Sequence, residues 1–269
     1  MSNAGWSDAS FNYRGCRVLV TGATGGIGAA VARAYRRAGA SVTVTGTRAD
    51  GRNVALFAEN FATNSKEGDT EKIPFRYLQL DVRDPEQVQE VAAACTELDI
   101  VVNCIGVALA GDGSSEYGVE AFQRAVDINL SGAFRLATAC RAALSTSQWP
   151  GGASIINIAS MTSFFGNAVV PGYGAAKAGL VQLVKTLAIA WAGEHIRVNA
   201  IAAGLTETAM TAAHVGNPEA LAPVLLRTPI RRVGQPVDMA GPILFLTSSL
   251  AGFVTGQTLV IDGGYSIVG

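Results

Sequence analysis

Histidine and cysteine are scarce in this chain: there are two of the first and four of the second among 269 residues, and charged side chains make up only 15%. His195 and His214 stand far apart with no His-Glu-x-x-His pattern, so nothing suggests a zinc site. Cys16, Cys95, Cys104 and Cys140 show no Cys-x-x-Cys spacing and do not make a small disulfide scaffold, so they read as reduced and structural. No apolar run reaches the ~18 residues of a membrane span. The richest stretch, Ala178 to Ala192, is interrupted by Gln182 and Lys185. Met1 to Arg14 lacks the apolar core of a secretion signal, and the expected location is the cytoplasm. Basic blocks are absent too: 20 Lys and Arg against 21 Asp and Glu leave a net charge of −1, which excludes an electrostatic footprint for nucleic acid or an anionic membrane. No repeat, low-complexity tract or Pro/Gly/Ser linker divides the chain. The expected organisation is a flexible N-terminal extension over residues 1–13 and one domain over residues 14–269.

What the chain does have is apolar material, 49% of its residues, and 31 scattered glycines suited to tight turns and close backbone approaches. Short β-rich runs occur at Arg17–Thr21, Ser41–Gly46, Arg76–Leu80, Ile100–Cys104, Ser154–Ile158, Arg197–Ile201 and Thr258–Ile261. Helical patterns lie between them at Ile27–Ala38, Asn53–Asn64, Pro85–Cys95, Ala121–Leu144, Tyr173–Trp191 and Val237–Leu246. This alternation predicts an α/β fold: a doubly wound, seven-stranded parallel sheet flanked by helices. Val18-Leu19-Val20 and Ile100-Val101-Val102 are apolar on both sides of the pleat, as strands covered on two faces must be. Ligands in such a fold sit at the carboxyl edge of the strands. Leu205 to Val233 is the longest irregular stretch, and its length suits a substrate-binding lid.

The first strand runs straight into Thr21-Gly22-Ala23-Thr24-Gly25-Gly26-Ile27-Gly28 and then into a helix. A dinucleotide pyrophosphate needs backbone N–H groups and a helix N-terminus at close range, and glycines at 22, 26 and 28 clear that approach. A glycine turn alone is also what any tight strand-to-helix connection uses. At the end of the second strand, where an acid would grip the ribose hydroxyls of NAD, the chain has Gly46-Thr47-Arg48. Arg48, with a hydroxyl from Thr47, favours NADP over NAD, although Asp50 lies two residues on.

Tyr173-Gly174-Ala175-Ala176-Lys177 puts a phenol and an ammonium on one helix face. For Tyr173 to exchange protons at neutral pH its pKa must fall from ~10 to ~7, which is worth ~4 kcal/mol. A cation ~5 Å away at an effective dielectric of ~20 supplies about 3 kcal/mol of this. The same spacing also describes a surface tyrosine beside a snorkelling lysine. Ser160 falls at the end of the fifth strand, where its hydroxyl can orient a substrate carbonyl.

Together these residues resemble the short-chain dehydrogenase/reductase family over nearly the whole chain, in a branch like the 3-oxoacyl reductases. Thr21-Gly22-x-x-x-Gly26-x-Gly28 matches its cofactor turn, and Leu80-Asp81-Val82 its adenine-facing acid. Asn103-Cys104-Ile105-Gly106 matches its Asn-Asn-Ala-Gly element, while Asn129, Ser160, Tyr173 and Lys177 match its tetrad. Arg197-Val198-Asn199-Ala200, Gly256-Gln257 and Asp262-Gly263-Gly264 are also typical of it. The resemblance implies a Rossmann fold and hydride transfer between NADP or NAD and a carbonyl or secondary alcohol. Tyr173 would act as general acid/base and Lys177 as its pKa-lowering neighbour and ribose ligand. Ser160 would orient the carbonyl, and Asn129 would hold a proton-relay water. Gly204 and Thr206 would join the cofactor contacts. It also implies a homotetramer built on the Ala121–Leu144 and Tyr173–Trp191 helices and the last strand. Cys104-Ile105 and the absence of proline in Ala202-Ala203-Gly204 depart from the pattern near the nicotinamide.

A pocket wall is expected from Val107 to Ala110, Phe164, Phe165, Val169, Val170, Leu205 and Met210, together with Ser160 and Tyr173. Mostly apolar, it suits a small to medium uncharged ketone or secondary alcohol. Two other readings stay open: a non-catalytic NAD(P)-binding sensor, and a relative of sugar-nucleotide epimerases or dehydratases, whose G-x-x-G-x-x-G turn Gly22, Gly25 and Gly28 also fit.

Overall fold

The computed structural model describes residues 9–51, 75–109 and 115–268. Seven strands form one sheet: β1 (Arg17–Thr21), β2 (Ser41–Gly46), β3 (Arg76–Gln79), β4 (Ile100–Asn103), β5 (Ala153–Ser160), β6 (Ile196–Ala203) and β7 (Thr258–Ile261). Their order is β3-β2-β1-β4-β5-β6-β7, every pairing is parallel, and the winding direction reverses between β1 and β4. A crevice opens at the carboxyl ends of the strands at such a reversal. Thr21 pairs with Asn103, and Asn103 with Asn157, so a polar rung crosses three strands directly beneath that crevice. Asn103 Oδ1 accepts from Thr21 Oγ1 at 3.1 Å, and its Nδ2 donates to Asn157 Oδ1 at 3.1 Å.

The two-residue period of a strand divides the core. Val18, Val20, Ile100, Val102 and Ile156 face α1 (Gly26–Arg37) and the helix over Pro236–Thr247, while Leu19, Val101 and Ile155 belong to the core on the opposite face. All eight residues of β5 and of β6 are buried, because helices cover both faces there. Between β1 and β6 in chain order lie α2 (Pro85–Ala94), α3 (Val119–Val126), α4 (Gly132–Ser145) and α5 (Pro171–Trp191). Beyond β6 come α6 (Ala212–Val215), α7 (Pro218–Arg227) and α8 (Pro236–Thr247). Among the described residues, α5 with its turn to Glu194 is the one helix long and apolar enough to cross a membrane, and it packs against β5 and β6.

Two expectations change and two fall outside the described residues. The single helix over Ala121–Leu144 is interrupted by a π-helical turn at Asp127–Ser131. Asn129 Nδ2 donates to Ala125 O at 2.8 Å, so a side chain takes the carbonyl that the helical ladder would use and the backbone skips to the wider turn. The stretch over 205–233 is not irregular but carries α6 and α7. Asn217 caps α7 by accepting from Glu219 N and Ala220 N, with Pro218 in the first helical position. The ends of this excursion lie side by side, with Gly234 N donating to Leu205 O and Glu207 N to Gly234 O. The Asn53–Asn64 helix and residues 1–8 of the expected extension lie outside the described residues.

Candidate active site

The cofactor turn is shaped by backbone contacts that leave no room for Cβ atoms. A Cβ on Gly28 would lie 2.4 Å from Gly22 O and 2.9 Å from Ala23 Cα, and one on Gly22 (φ +63°) would lie 3.0 Å from the Cys104 carbonyl. Gly46 is equally constrained, since a Cβ there would meet Thr24 Cγ2 at 2.3 Å. Gly25 caps α1 with no side chain bonded to its free N–H groups, and no acid stands in its first turn. The positive end of this helix therefore opens into a cavity of about 650 Å³. That is a fit for a pyrophosphate: uncapped donors, a helix dipole and close backbone access.

Gly22, Thr24, Gly26, Ile27, Gly28, Gly106, Gly204 and Thr206 all line this cavity, as do Ser160, Tyr173, Lys177, Leu205 and Met210. Gly204 is glycine because a Cβ would come 2.7 Å from Asp262 Cα, and a Cβ on Gly26 would touch Thr208 at 3.0 Å. Thr47 and Arg48 are exposed just beyond β2, where Gln79 Nε2 and the Tyr77 hydroxyl hold their carbonyls from β3. Asp81 grips Arg83 through both oxygens, and that guanidinium holds its carboxyl below the usual range. Val82 is buried under α4, its carbonyl taken by Arg135.

Asn103, Phe164 and Phe165 have other surroundings than a cavity wall, and of the expected run from Val107 only Ala108 is in the lining. Asn103 is spent on the polar rung. Phe164 is half-exposed outside the cavity, and Phe165 packs its ring against Tyr265 at 6.4 Å and under the Arg227 guanidinium at 5.5 Å. Apolar character alone cannot separate a wall from an aromatic stack. Ala110 lies outside the described residues. Met161, Thr162, Asn167, Thr208, His214 and Tyr265 line the cavity without having been expected. Asn167 and His214 come from loops and a short helix that carry no motif.

At the end of β5 the Ser160 hydroxyl accepts from Thr162 N at 3.2 Å and acts on the Tyr173 phenol to lower its pKa. Tyr173 lies in the first turn of α5. One turn on, Lys177 is 2% exposed, with Nζ donating to Ile158 O at 2.6 Å and lying 5.5 Å from the Tyr173 ring centroid. Asn129 reaches the same place from the π turn. It accepts from Val107 N at 3.1 Å and donates to Val107 O at 2.9 Å, and a Cβ on Gly106 would sit 3.2 Å from its Oδ1 and 3.3 Å from Lys177 Nζ. The four tetrad residues thus converge from three elements: β5, α5 and the π turn.

Their electrostatics differ from the simple tuning expected of Lys177. Burial raises the Tyr173 pKa, opposed by the Ser160 hydroxyl and reinforced by the charge of Glu116. Lys177 is itself desolvated and falls to about 8, so it is still mostly protonated at neutral pH and loses its charge about two pH units earlier than an exposed lysine. The free protein holds Tyr173 as a neutral phenol at neutral pH. In that state it can give a proton to a carbonyl oxygen that Ser160 orients.

The family profile described as "Enoyl-(Acyl carrier protein) reductase" matches residues 22–266. The chain is 34% identical over 261 residues to the 2-dehydro-3-deoxy-D-gluconate 5-dehydrogenase of Pseudoalteromonas atlantica, covering 95% of this chain and 97% of that one. It is 36% identical over 250 residues to the 3alpha-hydroxysteroid dehydrogenase of Mediterraneibacter gnavus, covering 91% and 94%. Among solved structures, a gluconate 5-dehydrogenase from Burkholderia cenocepacia in complex with NADP and tartrate superposes with a TM-score of 0.83 at 28% identity, covering 96% and 97%.

Proposed function

This chain belongs to the short-chain dehydrogenase/reductase family, and from that premise we propose that it moves a hydride between a nicotinamide cofactor and a carbonyl or secondary alcohol. One observation carries the reading: Ser160, Tyr173 and Lys177 stand in the same cavity as the uncapped glycine turn of α1. When bound, the cofactor supplies the hydride. Everything else is done by side chains of this chain. Ser160 orients the substrate oxygen, and Tyr173 gives its proton to that oxygen in reduction or takes it in oxidation. Lys177 holds positive charge beside the phenol, and Asn129 keeps the Gly106–Val107 backbone against Lys177. Asn129 spends both amide hydrogens on carbonyls, which leaves a free lone pair on Oδ1 for a relay water.

Finer points of the reading follow from particular residues. Arg48 at a β2 end without an acid supports NADP over NAD. Lys177 is the only Lys or Arg among the described cavity-lining residues, and Met161, Val169, Val170, Leu205, Met210 and Val224 make the wall beside it apolar. An uncharged ketone or secondary alcohol fits that surface. Residues 205–233 act as the lid, whereas the expected extension over residues 1–13 is shorter than that, since Tyr13 is buried in the core with its hydroxyl bonded to Leu244 O and Thr247. Exposed Phe122, Phe134 and Ile189 on the helices and Phe245, Phe253, Leu259 and Val260 near β7 support burial between copies in a homotetramer. Four unpaired cysteines suit the reducing cytoplasm.

The test is a panel of ketones and secondary alcohols with NADPH, NADH and their oxidised forms, read by absorbance of the reduced ring. Tyr173→Phe is expected to lower turnover at least a thousandfold while cofactor binding stays within about twofold. Comparable turnover in that variant refutes the acid/base assignment.

A further inference from the structure

Glu116 is a carboxylate with no exposed surface, in a part of the molecule where no motif led us to expect one. Among the described residues no cation pairs with it. Its two oxygens instead take two backbone N–H groups: Oε1 accepts from Leu109 N at 2.7 Å, and Oε2 from Tyr173 N at 2.8 Å. The second of these is one of the N–H groups that a helix leaves unsatisfied in its first turn. Val170 at the N-cap of α5 makes no side-chain bond, and Pro171 has no N–H to offer. Glu116 therefore caps a 21-residue helix from outside it, at the positive end of the dipole. The first bond is as specific. Leu109 follows Cys104, Ile105, Gly106 and Ala108, which wall the cavity beside the glycine turn. Asn129 fixes that segment at Val107 and Glu116 fixes it two residues later.

We propose that Glu116 is a positioning residue for the reaction: by joining the amides of Leu109 and Tyr173 on one buried carboxylate, it sets the phenol against the loop that walls the cavity. A purely structural cap at this point would not need to reach both elements, and burying an unpaired charge is costly unless its hydrogen bonds are complete. The proposal rests on the reading of Tyr173 as acid/base. Besides Glu116, the titratable groups around the phenol among the described residues are Lys177 on its own helix, Cys104 after β4 and, across the cavity, His214 on α6 and Tyr265 after β7. Of these, Glu116 alone places negative charge behind the phenol, which opposes its ionisation.

Three variants separate geometry from charge. Glu116→Gln keeps the size but turns one acceptor into a donor that faces an N–H. Glu116→Asp keeps the charge but is one methylene too short to reach both amides, and Glu116→Ala removes everything. The expected result is a kcat at least tenfold lower in all three, with cofactor binding by nicotinamide fluorescence within about twofold of the parent. The pH midpoint of alcohol oxidation should move down in Glu116→Gln and Glu116→Ala but stay in Glu116→Asp, a split that loss of a structural cap does not produce. Folded variants with parental kcat, KM and pH midpoint overturn the proposal. Should the variants not fold, hydrogen exchange on the parent decides: the Leu109 and Tyr173 amides are expected to be strongly protected, and exchange at the rate of an open first turn overturns the assignment. If Tyr173→Phe retains activity, the acid/base reading falls and this proposal with it. If Tyr173→Phe is inactive and the Glu116 variants are normal, only the role of Glu116 falls.

Discussion

Tyr173 sits where burial favours the neutral phenol, and this gives the two directions of the reaction different pH dependences. A carbonyl reduction needs the protonated phenol and finds it throughout the neutral range. An alcohol oxidation needs the phenolate, whose population rises about tenfold per pH unit below the pKa. With that pKa raised by desolvation, kcat/KM for oxidation should climb steadily from pH 6 to pH 9 while that for reduction stays nearly level over the same span. Matched initial-rate profiles in both directions check this, and an oxidation profile already flat at pH 6.5 contradicts it. Single residues also show what the sequence made legible. Ser160, Tyr173 and Lys177 could be picked out because each lies at a strand end or a helical spacing that chemistry dictates. Glu116 could not, since its partners are backbone amides far apart in sequence, and amides leave no trace in residue type. Phe165 misled for a related reason: hydrophobicity does not report whether a ring lines a cavity or stacks on Arg227.

The glycine turn between β1 and α1 is where local sequence controls an element most directly, and its glycines are not equivalent. At Gly28 a methyl group would run into the backbone of the turn, 2.4 Å from Gly22 O, whereas at Gly25 it would meet nothing within 4 Å. Gly25 has an extended backbone, φ −169°, that alanine adopts freely. Gly28→Ala should therefore push α1 away from the strand, costing about 1–3 kcal/mol in stability and at least tenfold in cofactor affinity. Gly25→Ala, whose methyl meets no protein atom within 4 Å, should leave stability nearly unchanged. Thermal unfolding and cofactor titration of the pair distinguish the cases, and equal losses of stability in the two variants refute the close-packing account. Other elements were legible to different degrees. The positions of the central strands followed from apolar runs buried on both faces. The π turn did not, because it arises from Asn129 competing for Ala125 O, a contact invisible to a periodic pattern. Over residues 205–233, Asn217-Pro218 is a helix-start pair hidden within a stretch of weak periodicity.

Across the whole molecule, the alternation of strands and helices was enough to anticipate a doubly wound parallel sheet, while the fold places its reversal between β1 and β4, where it brings the glycine turn and the Gly106 loop to one crevice. The same burial that builds this sheet makes the protein sensitive to alkali. Burial pushes the Cys104 and Cys140 thiols up to about 12, raises Cys16 and Cys95, and raises Tyr13 and Tyr35. In the unfolded chain thiols titrate near 8.5. Between pH 9 and pH 12 the unfolded state therefore releases protons that the folded state keeps, and each such thiol costs up to about 1.4 kcal/mol of stability per pH unit in that window. Lys177 has the opposite sign. Its folded pKa is lowered to about 8, so between there and its ordinary 10.5 the unfolded chain holds the extra proton and stability from this group rises with pH. One lysine faces four thiols, so the thiols prevail. The thermal midpoint, measured in reducing buffer, should hold up to about pH 8.5 and then fall progressively to pH 10.5. A midpoint that stays level or rises over that interval would mean that the buried thiols ionise inside the fold, and that the two cores flanking the sheet admit water far more readily than their packing implies.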